Sequence, residues 1–420
     1  MRFPWTLLFA AVFAATGAWG EAKWYKGATH LHSLWSDGDA APERNIKWYE
    51  DHGWDFVCPS DHNILLEGEK YYPITEDKYL TPARVAELQE TFGEGWVEIR
   101  EKDDGTKEMR LKTLEELRAH FEKPGEFVLI NAEEMTSLGG NPHINALNLR
   151  ELVPGLKAEG DKSALMQHYI DAIAAQSAKY DVPMIAHINH INWSDRVTTE
   201  EMIAVKGLSF FEVYNGHPGV NNQGTPDAGV PSYERHWDVI LSMRLRREAG
   251  FLLYGVANDD SHNYFEFRVG RSNPGRGWVM VRSEALEPNA LVAAMQRGDF
   301  YGSTGVTLKD VRAGDNSLGL TIDGEPGVTY TTQYVGTRKG FDTTAKPQLD
   351  AEGAPLPRSS LLYSDEIGEV LCETTDLEST YTFAGDELYV RARVVADVPL
   401  ENPAEAGDMQ SAWVQPVLPK

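Results

Sequence analysis

Between Trp24 and about Arg282 the chain alternates short apolar runs with stretches of helical periodicity, the pattern of strand-helix repeats around a parallel sheet or barrel. The runs predict strands at residues 24–31, 54–59, 126–132, 144–149, 182–186, 208–214, 251–257 and 277–281. Two of the intervening helices carry their own punctuation. Pro42 precedes one at 43–52 that stops at Gly53, and Ser163 can cap another at 164–180, whose Leu165, Ile170, Ile173 and Ala174 share a face. Residues 67–123 break the repeat with a charged segment holding helix signals at 82–92 and 114–121. It also holds a hairpin at 96–111 that turns on Asp104-Gly105. An insertion of this length reads as a lid or an edge subdomain. From about Val306 the runs become short and β-like, at 328–334, 381–383 and 388–395, between clusters of Gly, Pro and Asp. The expected division is therefore a leader at 1–20, an α/β barrel-like domain at 21–305 and a smaller β-rich domain at 306–420, a candidate sandwich.

Composition narrows the partners. The 420 residues are 42% hydrophobic and 25% charged, enough for a large core, and 64 acidic against 39 basic residues give a net charge of -25. Such a surface repels nucleic acid and anionic membranes, so no nucleic-acid partner is expected. Cys58 and Cys372 are too few for a disulfide framework and too far apart for a metal knuckle. At the start, Arg2, an apolar run at 6–15 and the small residues Ala18 and Gly20 read as a secretory signal peptide, too short to span a bilayer. The functional chain is expected to begin near Glu21 and to work in the periplasm or outside the cell, with no other membrane association.

The histidines fall where such a domain collects its chemistry. His30-Leu31-His32 follows the first predicted strand, Asp61-His62 the second and Glu133-Glu134 the third. His143 precedes a strand, His187 follows 182–186, and Asp260-Ser261-His262 follows 251–257. In α/β barrels the carboxyl ends of the strands gather functional groups on one face, so these distant residues are expected to meet. Alternate residues of a strand point the same way, which lets His30 and His32 share a metal. Taken singly, each signal has a plainer reading. An HxH pair is as readily two core or surface histidines, Asp37-Gly38 is a turn, and the whole set is a metal-free polar cluster. Together they point to metal, because unrelated core histidines have no reason to fall at strand ends beside acids.

The ordered series His30-Leu31-His32, Ser36-Asp37-Gly38, Ser60-Asp61-His62-Asn63, Ala132-Glu133-Glu134-Met135-Thr136, His187 and Asp260-Ser261-His262 resembles the PHP family, named for polymerase and histidinol phosphatase domains. The resemblance spans residues 24 to about 282. It implies a distorted seven-stranded βα barrel with a trinuclear metal site. The ligands it implies are His30, His32, Asp37, His62, Glu134, His143, His187, Asp260 and His262, with Asp37, Glu134 and Asp260 carrying catalysis. Three departures stand out. Ala132-Glu133 occupy the place of a glycine and a hydrophobic residue, which leaves Glu133 and Glu134 both open as the bridging ligand, Glu134 being favoured by its spacing to Thr136. Ile188 stands where proline commonly follows the fourth-motif histidine, and His190 is open as a substitute ligand or a substrate contact. The 67–123 insertion and the β-rich domain lie outside the minimal fold.

Mixed imidazole and carboxylate ligands suit zinc, manganese or iron, and three such ions would provide a metal-bridged hydroxide for hydrolysis. The expected substrate is a small phosphomonoester or phosphodiester. A carboxylic or carbamate ester on the same metals is the alternative, and a non-catalytic binding protein is a remote third. Arginine would grip a phosphate: Arg268 and Arg271 lead, Arg276 and Arg196 follow, and His190 and Asn215 are further substrate contacts. Glu212 or Asn215 is placed to orient ligand imidazoles, and Asp61 to do the same, to shuttle protons or to hold a turn. Trp193, Tyr233, Trp237 and Tyr264 invite a carbohydrate reading, against the commoner packing role of large aromatics.

Overall fold

All eight predicted strands form, and a computed structural model covering residues 22–157, 159–194 and 196–420 shows how they are joined. The leader expected at 1–20 lies outside the described residues. One nine-stranded sheet runs in the order Glu369–Thr374, Tyr330–Arg338, Glu387–Pro399, Met409–Val417, Phe300–Ser303, Trp278–Ser283, Lys23–Ala28, Phe56–Val57, Val128–Leu129. A five-stranded sheet runs Tyr254–Asn258, Phe210–Asn215, Ile185–Ile188, His143–Leu147, Ala132–Thr136. Among the described residues the two are not closed into a single barrel by ladders. They meet at two seams through isolated parallel bridges, Leu31 with Ser261 and His62 with Glu134, and both seams are made by the residues that carry or flank the chemistry.

Local sequence explains the pairing. Phe210–Asn215 and Tyr254–Asn258 are buried along their whole length, as parallel strands covered on both faces must be. The connection from Thr136 to His143 is too short for a parallel crossover, so Ala132–Thr136 and His143–Leu147 form an antiparallel hairpin. Glu133 and Glu134 therefore lie within a strand and not after one. The predicted helices appear as Pro42–Asp51, Pro82–Phe92, Leu114–Phe121 and Lys162–Tyr180. The cap of the last is Asp161, whose side chain accepts from the Ser163 N–H, so Ser163 is the capped residue and not the cap. Helix Tyr233–Leu245 gave no amphipathic signal because it is buried on nearly every face. The strands after residue 306 cover its outer side, where Arg391 Nε and Tyr389 OH donate to Asp238 at 2.7 and 2.8 Å.

Those C-terminal strands extend the sheet that begins at Lys23. A further three-stranded sheet (Leu308–Ala313, Ser317–Ile322, Glu378–Thr382) faces them across a core of Leu308, Leu318, Leu320, Tyr334, Val390, Ala392 and Val394, which makes that end a sandwich. In the insertion, Ile99–Glu101 and Lys107–Arg110 form the expected hairpin, with Tyr71–Pro73 as a third strand. It packs beside helix Pro42–Asp51 and props the loop carrying Asp37: Trp35 Nε1 donates to the Lys112 carbonyl at 2.9 Å, and Arg84 Nη1 to the Asp39 carbonyl at 3.0 Å. The segment is a buttress of that loop.

Candidate metal centre

Glu134 is the hub of the site. Its Oε2 lies 3.3 Å from His30 Nε2, 3.2 Å from His32 Nε2 and 2.9 Å from His62 Nδ1, while its Oε1 lies 3.2 Å from both His143 Nδ1 and His190 Nε2. Asp260 Oδ1 stands 3.3 Å from His30 and from His32 on the other side. Asp37, with 56% of its side chain exposed, reaches His262 at 3.3 Å and His62 at 3.5 Å at the mouth. Four sets of donor atoms are close enough to hold an ion: His32, Asp37, His62 and His262; His30, His190 and Asp260; His30, His32 and Glu134; and His62, Glu134 and His143.

The fold aims these groups by specific supports. Gly38 is required because a Cβ there would lie 2.5 Å from the His32 carbonyl oxygen, which lets the Ser36-Asp37-Gly38 turn fold back on the strand end. His190 (φ 24°) and Asp260 (φ 51°) adopt left-handed backbone that costs a non-glycine residue about 1–2 kcal/mol, a strain typical of functional positions. Glu212, fully buried, accepts from His30 Nδ1 at 2.7 Å, the His190 N–H at 2.7 Å, Asn215 Nδ2 at 2.8 Å and Asn258 Nδ2 at 3.2 Å. Asn215 also donates to Asp260 Oδ2 at 3.1 Å.

The donor set fits divalent cations. With Nδ1 of His30 committed to Glu212, the Nε2 lone pair faces the cluster, the tautomer a ligand needs. Buried His30 Nε2, His32 Nε2 and Glu134 Oε2 have no hydrogen-bond partner, although they approach one another closely. The electrostatics agree. Burial disfavours charge on His30, yet Asp260, Glu134 and Glu212 carry its imidazole well above the ordinary range. Burial likewise opposes ionisation of Glu134, yet His62 and His30 hold its carboxyl well below the carboxylate range. The cluster draws positive charge into a dry site, which is what a cation supplies.

Several expected residues lie elsewhere. His187 lies beside the cluster, its ring 6.4 Å from that of His30 and both its nitrogens buried without a hydrogen-bond partner, but it joins none of the four sets; burial pushes its imidazole down to about 4, and His190 is the histidine that reaches Glu134. The reason is the backbone. Past the strand's end Asn189 donates to Glu134 at 2.9 Å, and the left-handed residue at 190 brings the next imidazole to the same carboxylate. Glu133 faces the opposite side of its strand and accepts from the Val153 N–H at 2.9 Å, which leaves Glu134 as the carboxylate of the cluster. Asp61 holds a turn, accepting from Ser33 N, Ser33 Oγ and Ser36 Oγ at 2.8, 2.9 and 2.6 Å. Arg268 and Arg271 pair with Glu266 at 2.8 and 2.7 Å, and buried Arg276 spends its guanidinium on loop carbonyls such as those of Gly216 and Asn402. Of the four arginines, Arg196 keeps a buried Nη1 with no hydrogen-bond partner. Tyr233, Trp237 and Tyr264 are core residues, whereas Trp193 contacts His190.

Sequence reasoning missed His217. Its ring stacks on Trp193 at 4.8 Å and meets His262 edge to face at 5.5 Å, while its Nδ1 accepts from the Gly219 N–H at 2.9 Å, which places the ring proton on Nε2. Its signal was available: Asn215-Gly216-His217 follows the strand that supplies Glu212.

No family model matches the sequence, and no curated protein matches it. Among solved structures, the chain is similar to a two-domain protein from Bacteroides vulgatus described as containing a predicted PHP-like metal-dependent phosphoesterase, at 13% identity over 94% of this chain and 95% of that one, with a TM-score of 0.39. It is also similar to a proposed metal-dependent phosphoesterase from Bifidobacterium adolescentis, at 12% identity over 64% of this chain and 94% of that one, with a TM-score of 0.29.

Proposed function

We propose that this protein is a secreted metal-dependent hydrolase of a small phosphoric ester, working with three divalent cations on the open face of a PHP-type barrel whose ring is interrupted at two seams. One observation supports this above the others: nine side chains, His30, His32, Asp37, His62, Glu134, His143, His190, Asp260 and His262, bring their donor atoms into overlapping sets around one buried carboxylate. Zinc, manganese and iron all suit such ligands. Cations bound there supply an acidified water molecule and charge stabilisation for ester hydrolysis.

The chain's own groups do the rest. Glu212 fixes the His30 ring and the turn at His190, and Asn215 steers Asp260. His217 presents its Nε2–H beside His262, as a donor to a substrate oxygen. A second reading, hydrolysis of a carboxylic or carbamate ester on the same site, is favoured by the engagement of Arg268, Arg271 and Arg276 elsewhere. The test is turnover of nitrophenyl phosphate, bis-nitrophenyl phosphate, nitrophenyl acetate and a nitrophenyl carbamate with each metal, with Glu134→Gln and Asp260→Asn in parallel. Phosphoester turnover that needs metal and vanishes in both variants is expected. Turnover of carbonyl esters alone selects the second reading, and turnover without metal overturns both.

A further inference from the structure

The set at the mouth, His32, Asp37, His62 and His262, is held differently from the sets around Glu134. His30, His32, Glu134 and Asp260 are buried, whereas Asp37 stands on a turn with its side chain 56% exposed. Its 3.3 Å approach to His262 joins two loops that are far apart in sequence. On the His262 side the ring is already prepared. Its Nδ1 donates to the Asp260 carbonyl at 2.9 Å, which leaves the lone pair on the Nε2 that faces Asp37, and it stacks on His32 at 4.1 Å and 23°. What has to be fixed is the distance between the loop of His262 and the turn of Asp37.

Asp39 makes that junction. Its main-chain N–H donates to the His262 carbonyl at 2.8 Å, its Oδ1 accepts from the Tyr264 N–H at 2.9 Å, and its Oδ2 accepts from Asn263 Nδ2 at 3.3 Å. Asn263 cannot turn its amide round, because its Oδ1 accepts from the Ser272 N–H at 3.0 Å. One residue of the first loop thus holds three consecutive residues of the last. Asp39 is buried and belongs to none of the four donor sets, so its carboxylate serves the junction. The insertion closes the clamp from outside. Arg84, on helix Pro82–Phe92, donates from Nη1 to the Asp39 carbonyl at 3.0 Å and lays its guanidinium 3.5 Å from the Phe265 ring centroid, so it touches both loops beside the junction. A metal ligand has to stand within about 0.2 Å of its ideal distance. Two separate loops meet that tolerance only where something ties them together.

We propose that Asp39, braced by Arg84, is a positioning residue for the outermost cation: it sets the approach of His262 to Asp37, and the cation held by His32, Asp37, His62 and His262 depends on it while those held around Glu134 do not. This rests on the metal-dependent reading of the site and is tested by binding, not by turnover. The chelator-stripped full chain is titrated with zinc in a calorimeter, and Asp37→Ala, which deletes a ligand, identifies the outer equivalent. Asp39→Ala should weaken that equivalent at least tenfold, about 1.4 kcal/mol, and leave the others at parent affinity. Asp39→Asn should restore it, because its amide oxygen still accepts from the Tyr264 N–H. Arg84→Ala lies on the half-buried surface of the insertion, folds even where Asp39→Ala does not, and should weaken the same equivalent. Unchanged outer affinity in Asp39→Ala, or in Arg84→Ala where Asp39→Ala does not fold, overturns the proposal and leaves the metal centre standing. Equal weakening of every equivalent without rescue by Asp39→Asn also overturns it and makes Asp39 a residue of the fold alone. A parent chain that takes up no zinc, manganese or iron overturns the metal-dependent reading and this proposal with it.

Discussion

Glu212→Gln preserves the shape of a buried side chain and inverts half of its hydrogen bonding. Both carboxylate oxygens are acceptors, one facing His30 Nδ1 and Asn258 Nδ2, the other facing the His190 N–H and Asn215 Nδ2. A glutamine must turn its NH2 toward one of these pairs. Facing His190, it meets a main-chain donor that cannot change, and a buried unmet donor costs about 1–3 kcal/mol. Facing His30, it drives the imidazole to the tautomer with its proton on Nε2, which removes the lone pair directed at Glu134 and Asp260. Either way the His30, His190 and Asp260 set is disordered or silenced, and loss of such a support typically costs 10–100-fold in metal affinity or activity. The expected result is a 10–100-fold weaker metal affinity in chelator competition, about 1.4–2.8 kcal/mol, with the urea midpoint lowered in the apo protein. Parent-like metal affinity in Glu212→Gln would refute the claim that Glu212 sets the ligand tautomer.

Three further perturbations separate the parts. Gly38→Ala places a methyl 2.5 Å from the His32 carbonyl oxygen, where only backbone could yield, and should cost about 1–3 kcal/mol in urea unfolding; an unchanged midpoint shows that the turn is looser than it looks. His217→Asn should lower kcat about 100-fold with metal content intact if its Nε2–H serves a substrate oxygen, and unchanged kcat reduces it to packing against Trp193. Burial pulls Lys26 from 10.5 down to about 8, so between those values the unfolded chain holds a proton that the folded chain has released. Stability therefore rises with pH across that window, by no more than about 3 kcal/mol relative to Lys26→Met; equal slopes for the two proteins in urea unfolding from pH 7.5 to 10.5 would contradict a desolvated lysine.

What could be read in advance follows a physical boundary. The strands were legible because a buried strand needs an unbroken apolar run, and the histidine and carboxylate cluster was legible because such residues at a strand's end are rarely wanted for packing. His187 against His190 was not, since the choice turns on one left-handed dihedral and both residues are histidine. The arginines misled because charge alone says nothing of a partner, and Glu266, two residues before Arg268, had already claimed two of them. A cleft walled by aromatic residues was invisible for a deeper reason. Trp48, Trp54, Phe267 and Trp278 are the residue types that fill cores, and what separates them from Trp237 or Tyr264 is the empty space they face. A cluster of histidines and carboxylates announces itself by composition; an aromatic wall is distinguished from a core only by the space it faces.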